Sequence, residues 1–400
     1  MTRPLHLGPS RRTVVPMSLP ALVAPGPPLS AEQVTRYARH LLLPAVGSEG
    51  QRRLLNARVA VVGAGGLGSP SLLYLAAAGV GSITVIDDDD VDATNLQRQV
   101  IHDAMSVGLS KVESAVDRVR GLNPDVTVQG HQVRITPDNA VDLLRGHDLV
   151  LDGSDNFETR YAVDDACAEL GLPLVWAAVY RTAAHLTTFW TGAPDGAGVG
   201  LRDLFPEPPP PGSVPACGDA GVLGALVGQV GSMMASEAIK LVTGTGRTLL
   251  GRVLYIDSLL TTQREIPLSP SGRYSAEARA ARALPDPTPV AVQAEVAPRQ
   301  LADDLEAGQT PFVLDVRESA ELDFGVIEGA THIPLARITD GDVAALGIPH
   351  DREVVVVCKA GARASLAAST LTAQGYDDVR VLTGGMIAWA HDVDPTMTPY

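Results

Sequence analysis

Cysteine is scarce: Cys167, Cys217 and Cys358 are the three in 400 residues, and no C-x-x-C pair occurs. A ribbon-type structural zinc site needs four ligands at short paired spacings, so this chain cannot build one from cysteine, and no zinc is expected. Three scattered thiols fit a reducing compartment, hence the cytoplasm, better than a disulfide framework. Basic residues are outnumbered, 31 Lys and Arg against 46 Asp and Glu, giving a net charge of -15. Bulk nucleic-acid and anionic-membrane binders normally carry the opposite sign, so neither partner is expected. No uninterrupted apolar run is long enough to span a membrane. The first 29 residues hold arginines and apolar side chains, but prolines break any signal-peptide core, and residues 1–29 read as a flexible leader.

What is present is an α/β pattern. With 45% hydrophobic residues, the chain can bury two or three cores. Ser30 and Gln33 form a capping-box pair before apolar residues at helical spacing. From 58 to 150 strands and helices alternate: RVAVVG, SPSLLYLAAAGV, SITVIDDDD, KVESAVDRVRGLNP, VTVQGHQV, HDLVLDGSDN. A βαβ series predicts a mostly parallel, doubly wound sheet with its ligand at the strand C-termini. LPLVWAAVYRTAAHLTTFW reads as one or two further strands, and DLFPEPPPPGSVPACGDAG as a long loop. GVLGALVGQVGSMMASEAIKLVTG reads as a long helix, and RVLYIDSLLTTQREIPL as paired strands. A first domain over 30–270 is expected, a linker over 271–289 and a smaller α/β domain over 290–400.

The stretch VVGAGGLGSP places Gly63, Gly65 and Gly68 in G-x-G-x-x-G between a strand and a helix. Those glycines allow a tight turn and close approach of backbone to phosphate at a helix N-terminus. A mere packing cluster of glycines is the bland alternative. Asp87 lies roughly 20 residues further on, where a dinucleotide-binding fold keeps its ribose acid. Alone, the loop favours NAD and an oxidoreductase. Its surroundings do not. Hydride transfer has no evident use for Asn95, Arg98 and Gln99, whereas Arg98 suits phosphate oxygens through its planar fork. Lys111 opens a helix, where a cation opposes the dipole, so it reads as a phosphate ligand before it reads as a solvated lysine. Asp155 and Asn156 end the fourth strand at the ligand edge. A carboxylate facing arginine and lysine across a triphosphate suggests Mg²⁺, with an N-cap or Asx-turn as the structural alternative.

The blocks GAGGLGSP, NLQRQ, KVESA, LNPD and DGSDNFETRY, in that order, resemble the MoeB/ThiF family of ubiquitin-activating-like adenylyltransferases over roughly residues 30–268. The resemblance implies ATP as the nucleotide. It implies adenylation of the C-terminal glycine of a small ubiquitin-like sulfur carrier, a protein ending in Gly-Gly, with release of pyrophosphate. Matching the motifs puts Gly66, Asp87 and Asp89 at the nucleotide, with Asp87 at the ribose. Asn95, Arg98 and Lys111 fall at the phosphates and Asp155 at Mg²⁺, with Asn156 among the nucleotide-binding residues. Arg39 matches an arginine that family homodimers insert into the partner's ATP site. Two departures stand out. Many members carry two C-x-x-C pairs for zinc; this chain has TTFWTGAPDGAGVGLRDLFP where the first would fall. TAAH at 182–185 replaces a polar-glycine sequence, which alters the surface expected to receive the carrier tail.

The cysteines separate. Cys167 lies on an apolar helical stretch and reads as a buried small hydrophobe. Cys217 lies in the proline-rich loop before a helix, where a thiol is reachable. The family resemblance makes it the site of a thioester or acyl-disulfide link; a bystander loop cysteine is the alternative. Cys358 follows the strand EVVVV and opens CKAGAR, read as a six-residue turn before the helix ASLAASTLTAQG. Backbone N–H groups, a helix N-terminus and Arg363 would all favour its thiolate. With FVLDVRES, IEGATHIPL and LTGGMIAW, residues 290–400 resemble a rhodanese domain, whose equivalent cysteine carries a persulfide. Phosphatases of the same fold have a loop one residue longer. Lys359 keeps the charge of an arginine common at its position.

Together the resemblances imply a MoeB–rhodanese fusion. The carrier glycine would be adenylated, and the Cys358 persulfide would deliver sulfur to give a thiocarboxylate for molybdopterin or related metabolite synthesis. The persulfide would come from a cysteine desulfurase or thiosulfate. An adenylyltransferase of the same fold acting on tRNA or a peptide, an NAD-dependent oxidoreductase and a non-catalytic scaffold are the competing expectations.

Overall fold

The computed structural model describes residues 19–208, 221–275, 294–339, 341 and 343–397. Two compact units are distinguished, the first ending at Ser275 and the second including everything from Ala294 onward. Cys217 and the proline-rich segment around it lie outside the described residues.

In the first unit eight strands form one sheet among the described residues, in the order β3-β2-β1-β4-β5-β6-β7-β8. They are β1 (Arg58–Val62), β2 (Ser82–Ile86), β3 (Thr127–His131), β4 (Leu149–Asp152), β5 (Leu174–Tyr180), β6 (Ala183–Phe189), β7 (Arg252–Asp257) and β8 (Thr262–Pro267). The first five are parallel. The remaining strands continue antiparallel, β5 and β6 joined by a tight turn. The expected mostly parallel sheet is therefore present, and the ambiguous stretch after Leu172 is two strands.

Alternation explains the layers. Val59 and Val61 of β1 enter one core with Ile83, Val85, Leu149 and Leu151. Ala60 and Val62 enter a second core on the other face, with Ile86, Val150 and Trp176. Strands covered on both faces must be apolar throughout, which is why RVAVV shows no polar alternation. The first core is closed by helices Gly68–Ala78 and Gly224–Thr243, the second by Ala140–Leu144 and Phe157–Leu170.

The N-terminal expectations change in two ways. Ser30 and Gln33 do form a capping box, but the helix stops at Arg36 and restarts at Ala38. Tyr37, 3% exposed, is buried between the two pieces, and a Cβ on Gly79 would meet its ring at 2.6 Å. The leader is not wholly free either: from residue 19 it is docked. Leu22 N–H donates to the Leu241 carbonyl (3.1 Å), and Arg53 Nη1 to the Val23 carbonyl (2.6 Å). Prolines forbid a helix there without forbidding burial. Residues 271–275, expected to begin a linker, also pack on this unit: Ser271 N–H donates to Asp203 (2.7 Å) and Tyr274 bonds Asp164.

The second unit holds β9 (Ala294–Val296), β10 (Phe312–Asp315), β11 (Thr331–His332), β12 (Val354–Val357) and β13 (Val379–Leu382) in the order β11-β10-β12-β13-β9. All pairings among them are parallel. The four valines of β12 are buried, Val354 and Val356 towards one cluster, Val355 and Val357 towards another. Cys358 thus stands at the C-terminal end of the central strand.

Candidate active sites

In the first unit the sheet reverses its winding between β1 and β4, whose ends align at Val62 and Asp152. A crevice at the carboxyl ends of such neighbours is where doubly wound sheets bind ligands. The glycine loop fills it for identifiable reasons. Gly63 has φ +86°, and its N–H donates to the Ile86 carbonyl (2.8 Å). A Cβ on Gly68 would lie 1.8 Å from the Gly63 carbonyl oxygen, and one on Gly66 would lie 2.6 Å from Val227 Cγ1. At Gly65 a Cβ meets only Gln99 Nε2, at 3.6 Å. Sterics inside the fold therefore demand glycine at 63, 66 and 68; at 65 only the approach of a ligand would.

Of the predicted residues, Asp87, Asp89, Asn95, Arg98 and Lys111 gather beside this loop, and Arg39 does not. Asp87, at the end of β2, accepts from the Ala64 N–H (2.7 Å) and the Asp89 N–H (2.9 Å). Burial raises its pKa; Lys111 and the two N–H donors pull the other way. Lys111, 5% exposed, opens a helix and donates Nζ to Asp89 Oδ2 at 2.7 Å. The carboxylates of Asp87, Asp88 and Asp89 lie within 4.8 Å of one another. Arg98 lays its stem over Gly66, 3.5 Å from the Cβ position, and its Nη2 donates to Asn95 Oδ1 (2.7 Å). Asp155 is exposed after β4. The Asn156 side chain caps the helix Phe157–Leu170, accepting from Thr159 N–H at 2.8 Å. Arg39 is exposed on the short helix Ala38–Leu41, and its side chain makes no hydrogen bond or ion pair among the described residues.

Three further residues belong to this crevice. Gln99 is 4% exposed and leaves Oε1 without a partner. His102 bonds the Ala64 carbonyl (3.0 Å) and Ser114 Oγ (2.9 Å), and burial lowers its pKa. The carbonyl can only accept, so Nε2 carries the proton and the ring braces the loop while neutral. Asp152 is fully buried with Oδ2 unpartnered, and burial raises its pKa. NLQRQ named Gln99 without giving it a role; nothing in HD or in the first aspartate of DGSD signalled the other two. A glycine-rich loop with two cations beside it fits the triphosphate of a nucleotide, and the buried unpaired amide oxygen of Gln99 can accept from a donor such as a ribose hydroxyl.

The second site is built on Cys358. Its Sγ, 1% exposed as a residue, accepts from the N–H of Gly361 (3.1 Å) and of Ala364 (3.4 Å). Gly361 has φ +110°, which aims its N–H inward, and a Cβ on Gly385 would strike the Cys358 carbonyl at 2.3 Å. The helix begins at Ala362, two residues earlier than expected. Arg363 therefore lies in its first turn, and both its Nη groups donate to Glu321, at 2.6 and 2.8 Å. Its charge is balanced by that carboxylate, so the sulfur cradle rests on backbone donors. Glu321 was not singled out: an acid after a strand carries no distinguishing signal. Cys167 is 2% exposed within the second core, and burial pushes its thiol up, as a bystander requires.

These two sites define a class: a nucleotide-binding adenylating fold joined to a sulfurtransferase fold. Comparison with known proteins agrees. The ThiF family model matches residues 37–276, and the rhodanese-like domain model residues 297–392. The chain is 47% identical over 390 residues to the "Probable adenylyltransferase/sulfurtransferase MoeZ" of Mycobacterium tuberculosis, covering 96% of this chain and 99% of that one. It is 48% identical over 236 residues to a sulfur carrier protein adenylyltransferase of Thermus thermophilus, covering 59% and 87%. The fold resembles crystalline E. coli MccB with a TM-score of 0.52 at 20% identity, over 61% and 72% of the two chains. The chain belongs to the ThiF family, in the form that carries a rhodanese-like domain, and is an adenylyltransferase and sulfurtransferase. The NAD-dependent oxidoreductase is set aside.

Proposed function

We propose that this enzyme adenylates the C-terminal glycine of a ubiquitin-like sulfur carrier ending in Gly-Gly and then converts it to a thiocarboxylate. The observation that carries the reading is the pairing, in one chain, of a glycine loop flanked by Arg98 and Lys111 with a Cys358 sulfur held by two N–H donors. In the first step a glycine carboxylate oxygen bonds the α-phosphorus of ATP, and the bond to the pyrophosphate oxygen breaks. Two anions meet, so Arg98 and Lys111 at the phosphates lower the barrier by their charge and Asn95 by its amide hydrogen bonds, with no protein nucleophile. Asp87 and Asp89 hold the ribose side of the loop. Asp155, with Asn156 beside it, would hold Mg²⁺, which neutralises charge developing on pyrophosphate. Arg39 acts in the partner's site of a homodimer; exposed Val34, Leu42 and Leu43 beside it support a second copy there. No zinc takes part in this reading.

In the second step the terminal sulfur of a Cys358 persulfide attacks the acyl carbon and AMP leaves. A thiol, Cys217 or an external one, then attacks Cys358 sulfur, releasing the thiocarboxylate; the disulfide left behind is cleared by a thiol reductant. A cysteine desulfurase or thiosulfate recharges Cys358, and Arg363 holds the loop through Glu321. The partners are proteins and small sulfur donors in the cytoplasm; among the described residues no helix is long and apolar enough to cross a membrane.

The test is to incubate enzyme, ATP, Mg²⁺, sulfur donor and carrier, and to weigh the carrier by intact mass spectrometry. Cys358→Ala is expected to abolish the thiocarboxylate and to leave carrier-dependent pyrophosphate exchange intact. Loss of exchange in that variant, or no exchange with any Gly-Gly carrier, overturns the reading.

A further inference from the structure

Ala64 is the residue of the glycine loop whose two flanking peptides are both held. It is fully buried, whereas Gly63 and Gly65 on either side are half-buried. Its N–H donates to Asp87 Oδ2 at 2.7 Å, which fixes the Gly63–Ala64 peptide. Its carbonyl accepts from His102 Nε2 at 3.0 Å, which fixes the Ala64–Gly65 peptide. The Ser69 hydroxyl also reaches that carbonyl, but at 3.4 Å, beyond the ordinary O–H···O range. His102 is 6% exposed and is itself held from behind, its Nδ1 2.9 Å from Ser114 Oγ. Ser114 lies in the helix Lys111–Leu122, which Lys111 opens. One imidazole thus spans from the lysine's helix to the glycine loop.

The opposite edge of the Ala64–Gly65 peptide bears the Gly65 N–H. No peptide bond among the described residues is cis, and in a trans peptide the C=O and N–H point opposite ways. With the Ala64 oxygen turned towards His102, the Gly65 N–H is turned away from it, and it has no partner among the described residues. Gly65 is also the loop glycine that nothing inside the fold requires, since a Cβ there meets only Gln99 Nε2, at 3.6 Å. An unpaired N–H on a half-buried loop glycine is a donor left for an anion.

That orientation is easily lost. Turning the Ala64–Gly65 peptide over changes ψ of Ala64 and φ of Gly65 and leaves the chain on either side in place. Gly65, unlike Gly63, has no positive φ, and the turn would give it one. Glycine accepts either sign at little cost. The turned peptide would then face an anion with a carbonyl oxygen in place of an N–H.

We infer that His102 is a positioning residue for the nucleotide: its Nε2–H holds the Ala64–Gly65 peptide in the orientation that offers an N–H, and not a carbonyl oxygen, to the phosphates. This rests on the proposed function, which puts the phosphates of ATP on this loop. Nothing in the role requires His102 to exchange a proton or to touch the substrate, so a neutral donor at the same place should serve.

The experiment measures the calorimetric affinity for ATP with Mg²⁺, and carrier-dependent pyrophosphate exchange, on the full chain as wild type, His102→Gln and His102→Phe. The glutamine amide nitrogen stands as many bonds from Cα as histidine Nε2, so a donor is kept; phenylalanine keeps a ring and loses the donor. His102→Phe should weaken ATP binding about tenfold, the scale of one buried hydrogen bond, and raise the KM for ATP alike with the carrier KM unchanged. His102→Gln should stay within about threefold of wild type. Equal losses in the two variants, or a Phe variant within about twofold of wild type, refute the role. A Gly65→Ala background separates orientation from packing. Alanine disfavours positive φ and so bars the turned peptide; there His102→Phe should change ATP affinity less than about twofold. A drop of about tenfold on that background as well shows that the ring merely packs against the loop, and refutes the inference. Wild type that does not bind ATP defeats the proposed function and this inference together. Wild type that binds ATP but shows no exchange with any Gly-Gly carrier defeats the proposed function alone, and the calorimetric comparison still decides the role of His102.

Discussion

The buried carboxyl of Asp164 sets a pH dependence that can be read at individual amides. Asp164 is 2% exposed and accepts from the Leu201 N–H at 2.9 Å and from the Tyr274 hydroxyl. The Tyr274 oxygen in turn accepts from the Arg202 N–H at 2.8 Å. Burial raises the Asp164 pKa from 3.8 to about 7; the Tyr274 and Leu201 hydrogen bonds oppose it. A folded pKa above the unfolded one means the native state holds the proton more tightly. This contribution is complete below about pH 4, where both states are protonated, and is lost as pH rises through about 7. A gap of about 3 pH units at 1.36 kcal/mol each is about 4 kcal/mol. Asp164→Asn removes the titration while keeping an oxygen for Leu201 and an amide for the Tyr274 oxygen. The stability of the Asn variant relative to wild type should therefore climb by up to about 4 kcal/mol between about pH 4 and 8. Hydrogen exchange at Leu201 and Arg202, corrected for intrinsic pH dependence, reports it in the full chain. A difference that stays flat across that range refutes the burial argument.

Three further outcomes follow from particular contacts. Gly68→Ala places a Cβ 1.8 Å from the Gly63 carbonyl and must displace the loop, so it should lower the melting temperature and cut carrier-dependent exchange. We expect a loss of about 100-fold or more, because a misplacement of about 1 Å has that effect. Gly65→Ala meets nothing closer than 3.6 Å and should fold normally yet bind ATP more weakly, which calorimetry separates. Glu321→Ala removes the carboxylate that both Nη groups of the 5%-exposed Arg363 side chain bond. That should destabilise the second unit by about 3–5 kcal/mol, seen as faster hydrogen exchange over residues 312–325, with pyrophosphate exchange untouched.

How much of this was legible depends on whether the signal was local. VVGAGGLGSP between RVAVV and an apolar helix carries its own geometry, because strand, positive-φ glycine and helix start are consecutive. EVVVVC is legible for the same reason: four consecutive valines can only be a strand covered on both faces. Tyr37 breaking a helix over Gly79 was not legible, since the two residues meet only in space. The docking of residues 19–29 was hidden for that reason too, because a proline-rich run looks unstructured until a groove receives it. Glu321 and Arg363 are 42 positions apart, and neither flanking sequence names the other. Local motifs singled out side chains beside each loop, and left unpredicted that Lys111 would pair with Asp89 and Arg363 with Glu321.

Those acids separate the two sites chemically. Lys111 pairs with Asp89, whose side chain is 65% exposed, so a phosphate can take the lysine and leave Asp89 to water at little cost. Arg98 is held by the neutral Asn95, which gives up a guanidinium without leaving a charge behind. Arg363 pairs with Glu321, 8% exposed, and any anion that drew the arginine away would cost a buried carboxylate its two-point partner. The first site therefore has cations that can be exchanged onto a triphosphate, and the second has one fixed in place. A persulfide needs only modest stabilisation of one sulfur, which the Gly361 and Ala364 N–H groups can supply. Phosphoryl chemistry has to offset several charges at once, and that demand explains why the mobile cations belong to the glycine loop.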